Sequence, residues 1–273
     1  MINYPKKIEE LWYKKGHITK NSELFEETQQ IVKEVLSLIE EGEICVNYKQ
    51  ANIWLVNQWI KKAILMHFQT SDMQIYEDGC MKWHDKVNLK FFNADVSKIK
   101  QSDVRLVPGC YVRQGTYIGK NVVLMPSFIN IGAHVGSGTL VDTWATVGSC
   151  AYVGKNCHIS GGTGIGGVLE PLQAHPVIIE DDCFIGARSE IAEGVIIGKG
   201  SVISMGVFIN ASTKIVNRED GKITFGYIPP YSVVVPGYLP SKSPDLPGLA
   251  CAVIIKQVDA KTRSKTTINE LLR

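Results

Sequence analysis

The chain has 273 residues, of which 45% are hydrophobic and 21% are charged, and its formal net charge is +2. This length allows one large domain or two to three small ones, and the near-neutral charge gives no reason to expect nucleic acid as a partner. The sequence has no run of about 18 apolar residues and does not begin like a secretory signal, so we expect no membrane partner and a cytoplasmic protein.

The cysteine pattern indicates neither a disulfide framework nor a zinc site. The seven cysteines are Cys45, Cys80, Cys110, Cys150, Cys157, Cys183 and Cys251. Their number is odd and no two of them have C-x-x-C spacing, which argues against both kinds of site. Unpaired thiols are typical of a reducing cytoplasm.

The first part of the chain, residues 1–103, is predicted to be a helical N-terminal domain. Asn21 or Ser22 can cap a helix, with Glu23 near the positive end of its dipole, and Gly42 ends this helix. Its apolar stripe repeats at helical spacing. The stripe consists of Leu24, Thr28, Ile31, Val35 and Leu38.

A second helix is predicted between Trp54 and Phe68, with Lys61 and Lys62 on a solvated face. Residues 69–111 lack both helical and six-residue periodicity. We expect them to be an extended lead-in to the segment that follows.

A six-residue repeat dominates the middle of the chain. The aliphatic positions are Val112, Ile118, Val123, Ile129, Val135, Val141, Val147, Val153, Ile159, Ile165, Ile179, Ile185, Ile191, Ile197, Ile203 and Ile209. The spacing shortens by one residue after Ile118 and lengthens between Ile165 and Ile179. The residue four places after each aliphatic is usually small or β-branched, as at Ala145.

Hexapeptide repeats are typical of parallel β-helices, in which three short strands close a triangular coil and the aliphatic side chains stack inside. The sixteen units predict roughly five coils. A sandwich of short strands would instead alternate with period two and turn every 8–12 residues or so. The predicted fold class is therefore mainly β, with a left-handed parallel β-helix over residues 104–237.

Two segments interrupt the repeat. Leu169 to Pro176 is an insertion, and insertions in solenoids often project on the binding face. The glycine-rich segment before it, residues 161–167, lacks the Lys-Ser/Thr of a phosphate loop; its glycines allow tight corners and the close approach of an extended ligand. Residues 217–225 form a second excursion. Residues 238–273 are predicted to be a C-terminal extension, with a strand from Cys251 to Val258 and a basic, helical end.

Repeats of this kind resemble the hexapeptide-repeat proteins, which include acyltransferases, zinc lyases and structural subunits. A zinc lyase needs three histidine ligands, and within the repeat this chain has His134 and His158, which are predicted to lie on different sides of the triangle. A non-catalytic structural subunit stays open at this point. The fold alone does not decide among these functions.

Longer motifs are more specific than the six-residue repeat. They occupy residues 141–150, 160–174, 178–190, 258–263 and 268–273. Together they closely resemble the 2,3,4,5-tetrahydropyridine-2,6-dicarboxylate N-succinyltransferase family, from about residue 104 to the C-terminus and more weakly before it. The resemblance implies a homotrimer in lysine and diaminopimelate biosynthesis, with succinyl-CoA as co-substrate, no tightly bound cofactor and no metal. An acetyl-CoA-dependent enzyme is the near alternative.

The resemblance also implies catalytic carboxylates at Asp142 and Glu190. The residues alone favour a solvated surface charge over a catalytic role for each carboxylate. The resemblance to the family favours the catalytic role instead. Because 48 residues separate them, they need not meet within one chain, and a trimer interface is the natural meeting place.

A dicarboxylate substrate calls for cations, and the planar fork of arginine binds carboxylates through two hydrogen bonds. Arg105 matches the substrate-binding position of the family, Asp142 is expected to touch the same substrate, and Arg188 is a second candidate whose alternative is a surface ion pair. The expected coenzyme A contacts are Ser204, Met205, Gly206, Lys256 and Lys261. For the two lysines a solvated tail is an equal alternative.

Overall fold

The computed structural model describes residues 2–78, 81–92, 94–243, 245–265 and 268–271. Cys80 and the last two residues of the C-terminal motif lie outside the described residues. The helices are α1 Tyr4–Tyr13, α2 Glu23–Glu41, α3 Gln58–Thr70, α4 Val96–Gln101, α5 Ala260–Lys265 and α6 Ile268–Leu271, with a 3₁₀ turn at Lys15–His17.

The strands fall into two hairpins, a long series of short strands, and a C-terminal pair. In chain order they are β1 Asn47–Gln50, β2 Ile53–Val56, β3 Gln74–Asp78, β4 Met81–Asp85, β5 Arg105–Leu106, β6 Tyr111–Val112, β7 Tyr117–Ile118, β8 Val123–Leu124, β9 Phe128–Ile129, β10 His134–Val135, β11 Leu140–Val141, β12 Thr146–Val147, β13 Tyr152–Val153, β14 His158–Ile159, β15 Gly164–Ile165, β16 Ile178–Ile179, β17 Phe184–Ile185, β18 Glu190–Ile191, β19 Ile196–Ile197, β20 Val202–Ile203, β21 Phe208–Ile209, β22 Ile215–Asn217, β23 Ile223–Thr224, β24 Tyr227–Ile228, β25 Ser232–Leu239 and β26 Leu249–Gln257.

The short strands wind into a parallel β-helix with three walls. The first wall stacks β5, β8, β11, β14, β17, β20 and β25; the second stacks β6, β9, β12, β15, β18 and β21; the third stacks β7, β10, β13, β16, β19 and β24. We number the coils from β5, so that β11 begins the third coil and β14 the fourth. The first corner joins the first wall to the second. The predicted β-helix is confirmed, and its left-handed sense stays a prediction.

One aliphatic side chain of each strand points inward, and together these side chains form one continuous core. Leu124, rather than the predicted Val123, holds the core position of β8: Leu124 is 0% exposed and pairs with Val141, whereas Val123 pairs with the outward Leu140. The six-residue spacing therefore continues past Ile118, and the shortened turn follows Leu124. A leucine can fill the same core site as valine or isoleucine. A pattern restricted to valine and isoleucine therefore points to Val123 instead of Leu124.

The β-helix has more coils than the roughly five that the sixteen units predict. The described residues contain six coils and the first strand of a seventh, because units built on Leu106, Ile228 and Val234 add to the sixteen found in the sequence. The extended lead-in is also wrong in part, since residues 69–111 contain the β3–β4 hairpin and α4.

The second predicted helix begins later than expected. Residues 53–56 form β2, which pairs with β1 in a hairpin, and α3 begins at Gln58. The turn residues Ala51 and Asn52 have φ of 48° and 65°, the backbone of a two-residue hairpin turn. A run of β-branched and aromatic residues beside such a turn favours a strand over a helix.

The helical domain covers the third wall. The rings of Tyr117, His134 and Tyr152 stack on neighbouring rungs of this wall, with centroids 4.5 Å apart in each pair, and Trp54 of β2 packs on Tyr152 at 4.8 Å. Burial lowers the pKa of His134 to about 4. This histidine is therefore packed between two tyrosine rings on the outside of the third wall, in a setting that favours its neutral form.

The insertion is tied to α3 through Lys61, which was predicted to face solvent. The side chain is 0% exposed, and its Nζ donates to the carbonyl oxygens of Pro171, Leu172 and Ala174 at 3.3, 2.9 and 3.0 Å. Burial lowers the pKa of Lys61. The prediction failed because the partners of Lys61 are more than 100 residues away in the chain.

The C-terminal residues cover the last coils of the first wall. β25 continues beyond the wall and pairs antiparallel with β26, which is the predicted C-terminal strand. Leu271 of α6 packs on Val202 and Val233. Among the described residues, the first corner of the third to sixth coils and the end of the second wall carry exposed side chains, such as Trp144, Met205 and Phe208. The division into three domains stays a prediction; its second boundary falls inside β25.

Candidate active site on the first corner

The first corner is a column of equivalent turns, one for each coil. At the same place in successive turns stand Trp144, Gly162, Arg188 and Gly206, with φ of 61°, 66°, 58° and 70°. Glycine adopts this left-handed backbone freely, whereas a side chain there costs on the order of 1–2 kcal/mol per residue. The same backbone occurs at other corners, as at Cys150 and Asp182, so the side chains carried by the first corner, and not its strain, make it the candidate site.

Asp142 begins the corner turn of the third coil. Its Oδ1 accepts hydrogen bonds from the backbone N–H of Thr143 at 2.7 Å and from the Thr143 hydroxyl at 3.2 Å. Its Oδ2 lies 4.0 Å from Nε2 of His158, and about a third of the Asp142 side chain is exposed (34%). The carboxylate is thus held by hydrogen bonds at Oδ1, and its other oxygen, Oδ2, faces His158.

The turn of the fourth coil carries almost no side chains. We call Gly161, Gly162 and Gly164 the glycine strip. A Cβ at Gly164 would lie 2.0 Å from Oε2 of Glu190, and one at Gly162 would lie 2.7 Å from the guanidinium of Arg188. These two side chains can therefore lie against the strip because the strip has no Cβ atoms.

Glu190 and Arg188 belong to the fifth coil, on the far side of the strip from Asp142. Gly164 and Glu190 are paired on neighbouring rungs of the second wall, and the backbone N–H of Arg188 donates to Gly161 at 3.1 Å. Because adjacent rungs are about 4.8 Å apart, Asp142 and Glu190 are separated by roughly 10 Å along the helix. Within one chain they do not touch; they flank the glycine strip.

Arg105 lies apart from this group. It is exposed and points outward from the first coil, two coils before Asp142 and four before Arg188. Four coil rises span about 19 Å. The structure of one chain therefore does not bring the two predicted substrate-binding arginines together.

The five predicted coenzyme A contacts separate into different places. Ser204, Met205 and Gly206 form the first corner of the sixth coil, one coil beyond Arg188, and Met205 is 66% exposed. Lys256 lies on β26 beside Val233. Lys261 lies on α5, and the same helix contacts the corner between the third and first walls, where Arg263 Nε donates to the carbonyl of Gly200 at 3.1 Å. Ser204, Met205 and Gly206 thus lie in the same column of first-corner turns as Asp142 and Arg188. Helix α5 lies at the corner between the third and first walls.

The neighbour of Asp142 that the sequence interpretation missed is His158. The sequence suggested it only as an incomplete zinc ligand. The structure places it on the first wall, on the opposite side from His134 on the third. In the part of the chain that is described, no three His, Cys, Asp or Glu side chains cluster as a metal site would require. No helix among the described residues is long and apolar enough to span a bilayer.

Two family matches agree with this architecture. Residues 3–70 match the N-terminal region of tetrahydrodipicolinate N-succinyltransferase. Residues 176–211 match the hexapeptide repeat of succinyl-transferase.

Whole-chain relatives carry one name. The chain is 56% identical to the 2,3,4,5-tetrahydropyridine-2,6-dicarboxylate N-succinyltransferase of Methylobacterium sp. (strain 4-46), over 97% of this chain and 96% of that protein. It is 54% identical to the enzyme of the same name from Wolbachia sp. subsp. Brugia malayi (strain TRS), again over 97% and 96%.

A solved structure shares the fold. The crystal structure of a 2,3,4,5-tetrahydropyridine-2-carboxylate N-succinyltransferase from Campylobacter jejuni matches with a TM-score of 0.53 at 15% identity, over 82% of this chain and 62% of that one. The chain thus spans less than two thirds of that protein's length, and the match shows the fold alone.

Proposed function

The chain belongs to the 2,3,4,5-tetrahydropyridine-2,6-dicarboxylate N-succinyltransferase family, and we propose that it transfers the succinyl group of succinyl-CoA to the amine of the ring-opened tetrahydropyridine dicarboxylate, in the cytoplasm, for lysine and diaminopimelate biosynthesis. The observation that carries the proposal is the glycine strip, which is flanked by Asp142 on one side and by Arg188 and Glu190 on the other.

The reaction requires proton transfers at two stages. Water adds across the C=N bond of the cyclic imine, and ring opening yields a primary amine and a ketone. The amine nitrogen then attacks the thioester carbonyl carbon; a C–N bond forms, the C–S bond breaks, the nitrogen loses a proton to a base, and the coenzyme A thiolate takes one up. Positioned carboxylates can accept and return these protons, so no cysteine or histidine nucleophile is needed.

We assign the proton transfers to Asp142 and Glu190, and binding of a substrate carboxylate to Arg188. Because the strip has no Cβ atoms, Arg188 and Glu190 lie against its backbone, and we place the substrate against these two side chains, with Asp142 on the other side of the strip. The corner of Ser204, Met205 and Gly206 is one coil away, where a Cβ at Gly206 would meet no atom within 4 Å. That open corner suits the extended pantetheine arm, with the thioester directed toward the strip.

We also propose a homotrimer with active sites between subunits. Large apolar side chains are exposed on the first corner and second wall: Trp144 is 69%, Met205 66% and Phe208 65% exposed. Exposed apolar side chains distributed along one face of the β-helix suit a subunit interface. Arg105 does not approach the strip of its own chain, so its proposed contact with the substrate requires another subunit.

The proposed function is tested by measuring thiol release from a panel of acyl-CoA donors with the tetrahydropyridine dicarboxylate. Succinyl-CoA should give a higher kcat/KM than acetyl-CoA, because the donor carboxylate gains a cationic or polar partner in a site built for it. Equal values would contradict the succinyl preference and favour an acetyl-using enzyme. Failure of every donor to release thiol would contradict acyl transfer itself.

Asp142→Asn and Glu190→Gln should each lower kcat by about 10²–10⁴-fold, because they keep the shape of the side chain and remove its ability to accept a proton. The melting temperature should change little, since both carboxylates lie outside the aliphatic core. Near-normal turnover of Asp142→Asn would show that Asp142 is a turn residue alone.

Arg105→Lys should act mainly on KM for the dicarboxylate, because lysine keeps the positive charge and loses the planar fork of the guanidinium group.

The trimer is tested by sedimentation, which should give the mass of three chains. Replacing Trp144 and Phe208 together by serine should shift the protein toward monomer and lower activity, because it removes the exposed apolar surface. Tyr13→Ser is the matched control: Tyr13 is 92% exposed on α1 and lies off this surface. A monomeric wild type with full activity would refute the proposal.

A further inference from the structure

His158 occupies the first wall immediately beside the corner that carries Asp142. It points outward from the fourth coil, between Leu140 and Phe184 on the neighbouring rungs, and its ring meets that of Phe184 edge-on at 5.1 Å. Both strand neighbours are apolar. The ion-pair partner that the structure records for its Nε2 is Oδ2 of Asp142, at 4.0 Å.

The two oxygens of Asp142 have different surroundings. Oδ1 already accepts two hydrogen bonds from Thr143, at 2.7 and 3.2 Å. Oδ2 faces His158 on one side and the strip on the other, since a Cβ at Gly161 would lie 4.0 Å from it. With Oδ1 alone anchored, the carboxylate plane can still rotate. A donor at Oδ2 removes that freedom.

We propose that His158 is a positioning residue: its imidazole N–H orients the Asp142 carboxylate over the glycine strip. The present 4.0 Å separation closes to a hydrogen bond with a small rotation of either side chain, and hydrogen bonds of this kind often tighten when substrate binds. In the edge-on contact of the His158 ring with Phe184, Nε2 faces Asp142. This inference rests on the proposed role of Asp142 in proton transfer.

The inference predicts how two substitutions differ. His158→Phe keeps an aromatic ring against Phe184 and removes the donor, whereas His158→Gln removes the ring and keeps an N–H at nearly the same reach. Loss of a partner that orients a reacting group typically lowers activity by about 10–100-fold. We expect His158→Phe to lower kcat on this scale with KM for both substrates within about twofold of wild type, and His158→Gln to retain most of the turnover.

A double-mutant cycle separates positioning from a general structural effect. In an Asp142→Asn background, His158→Phe should cost little further turnover, because residues that act as a unit are not additive. The proposal is overturned if His158→Phe keeps wild-type kcat, if His158→Gln is as impaired as His158→Phe, or if the two losses multiply.

The two proposals fail in different ways. If wild-type protein releases no thiol from any donor, the proposed function fails. If wild type and Asp142→Asn behave as expected while His158→Phe is unimpaired, the positioning role alone is wrong. Melting temperatures of the three variants within a few degrees of wild type confirm that the kinetic comparison concerns folded protein.

Discussion

The vertical register of the coils is the constraint on which the rest of this structure depends. Each short strand contributes one inward aliphatic side chain, and the stacked side chains bury a core that no single coil could bury. Because every coil repeats the same path, residues at equivalent places in successive turns are brought into one column. The inward column is the hydrophobic core, and the outward column at the first corner holds Asp142, the glycine strip and Arg188.

This register explains how a site arises on a scaffold without an enclosed pocket. The glycine strip has no Cβ atoms, so the side chains of Arg188 and Glu190 lie directly against its backbone. The coils on either side supply the charged groups, from Asp142 before the strip to Arg188 and Glu190 after it. The aliphatic stack and the helical domain on the third wall hold these coils at fixed spacing, so the distance between the charged groups is set by the fold.

The repeat made the fold predictable from the sequence, because a strict period of six has few structural solutions. Which residues occupy equivalent places at the first corner was harder to predict. Asp142 and Ser160 are one coil and 18 residues apart, but Ser160 and Gly186 are 26 apart because the insertion adds eight residues. Counting six-residue units predicts that Asp142 and Glu190 need not meet within one chain; it does not show that they flank the same strip, because the corner that holds the insertion has to be known first.

Other residues were unpredictable for reasons of tertiary structure. Lys61 looks solvated in a helical pattern, and it is buried because three carbonyl groups of the distant insertion surround its ammonium group. His158 lacks the two further ligands that a metal site needs, so the sequence pattern assigns it no partner. Its proximity to Asp142 follows from the stacking of the coils, which places it outward on the rung after Leu140.

The measurement that tests the central claim most directly is the kcat of Gly164→Ala, alone and combined with Glu190→Gln. The added Cβ would lie 2.0 Å from the Glu190 carboxylate, which can swing away because it is the end of an exposed side chain. The account predicts a large loss of kcat with a nearly unchanged melting temperature, and little further loss in the Glu190→Gln background. Turnover of Gly164→Ala near that of the wild type would contradict a reaction site on the glycine strip.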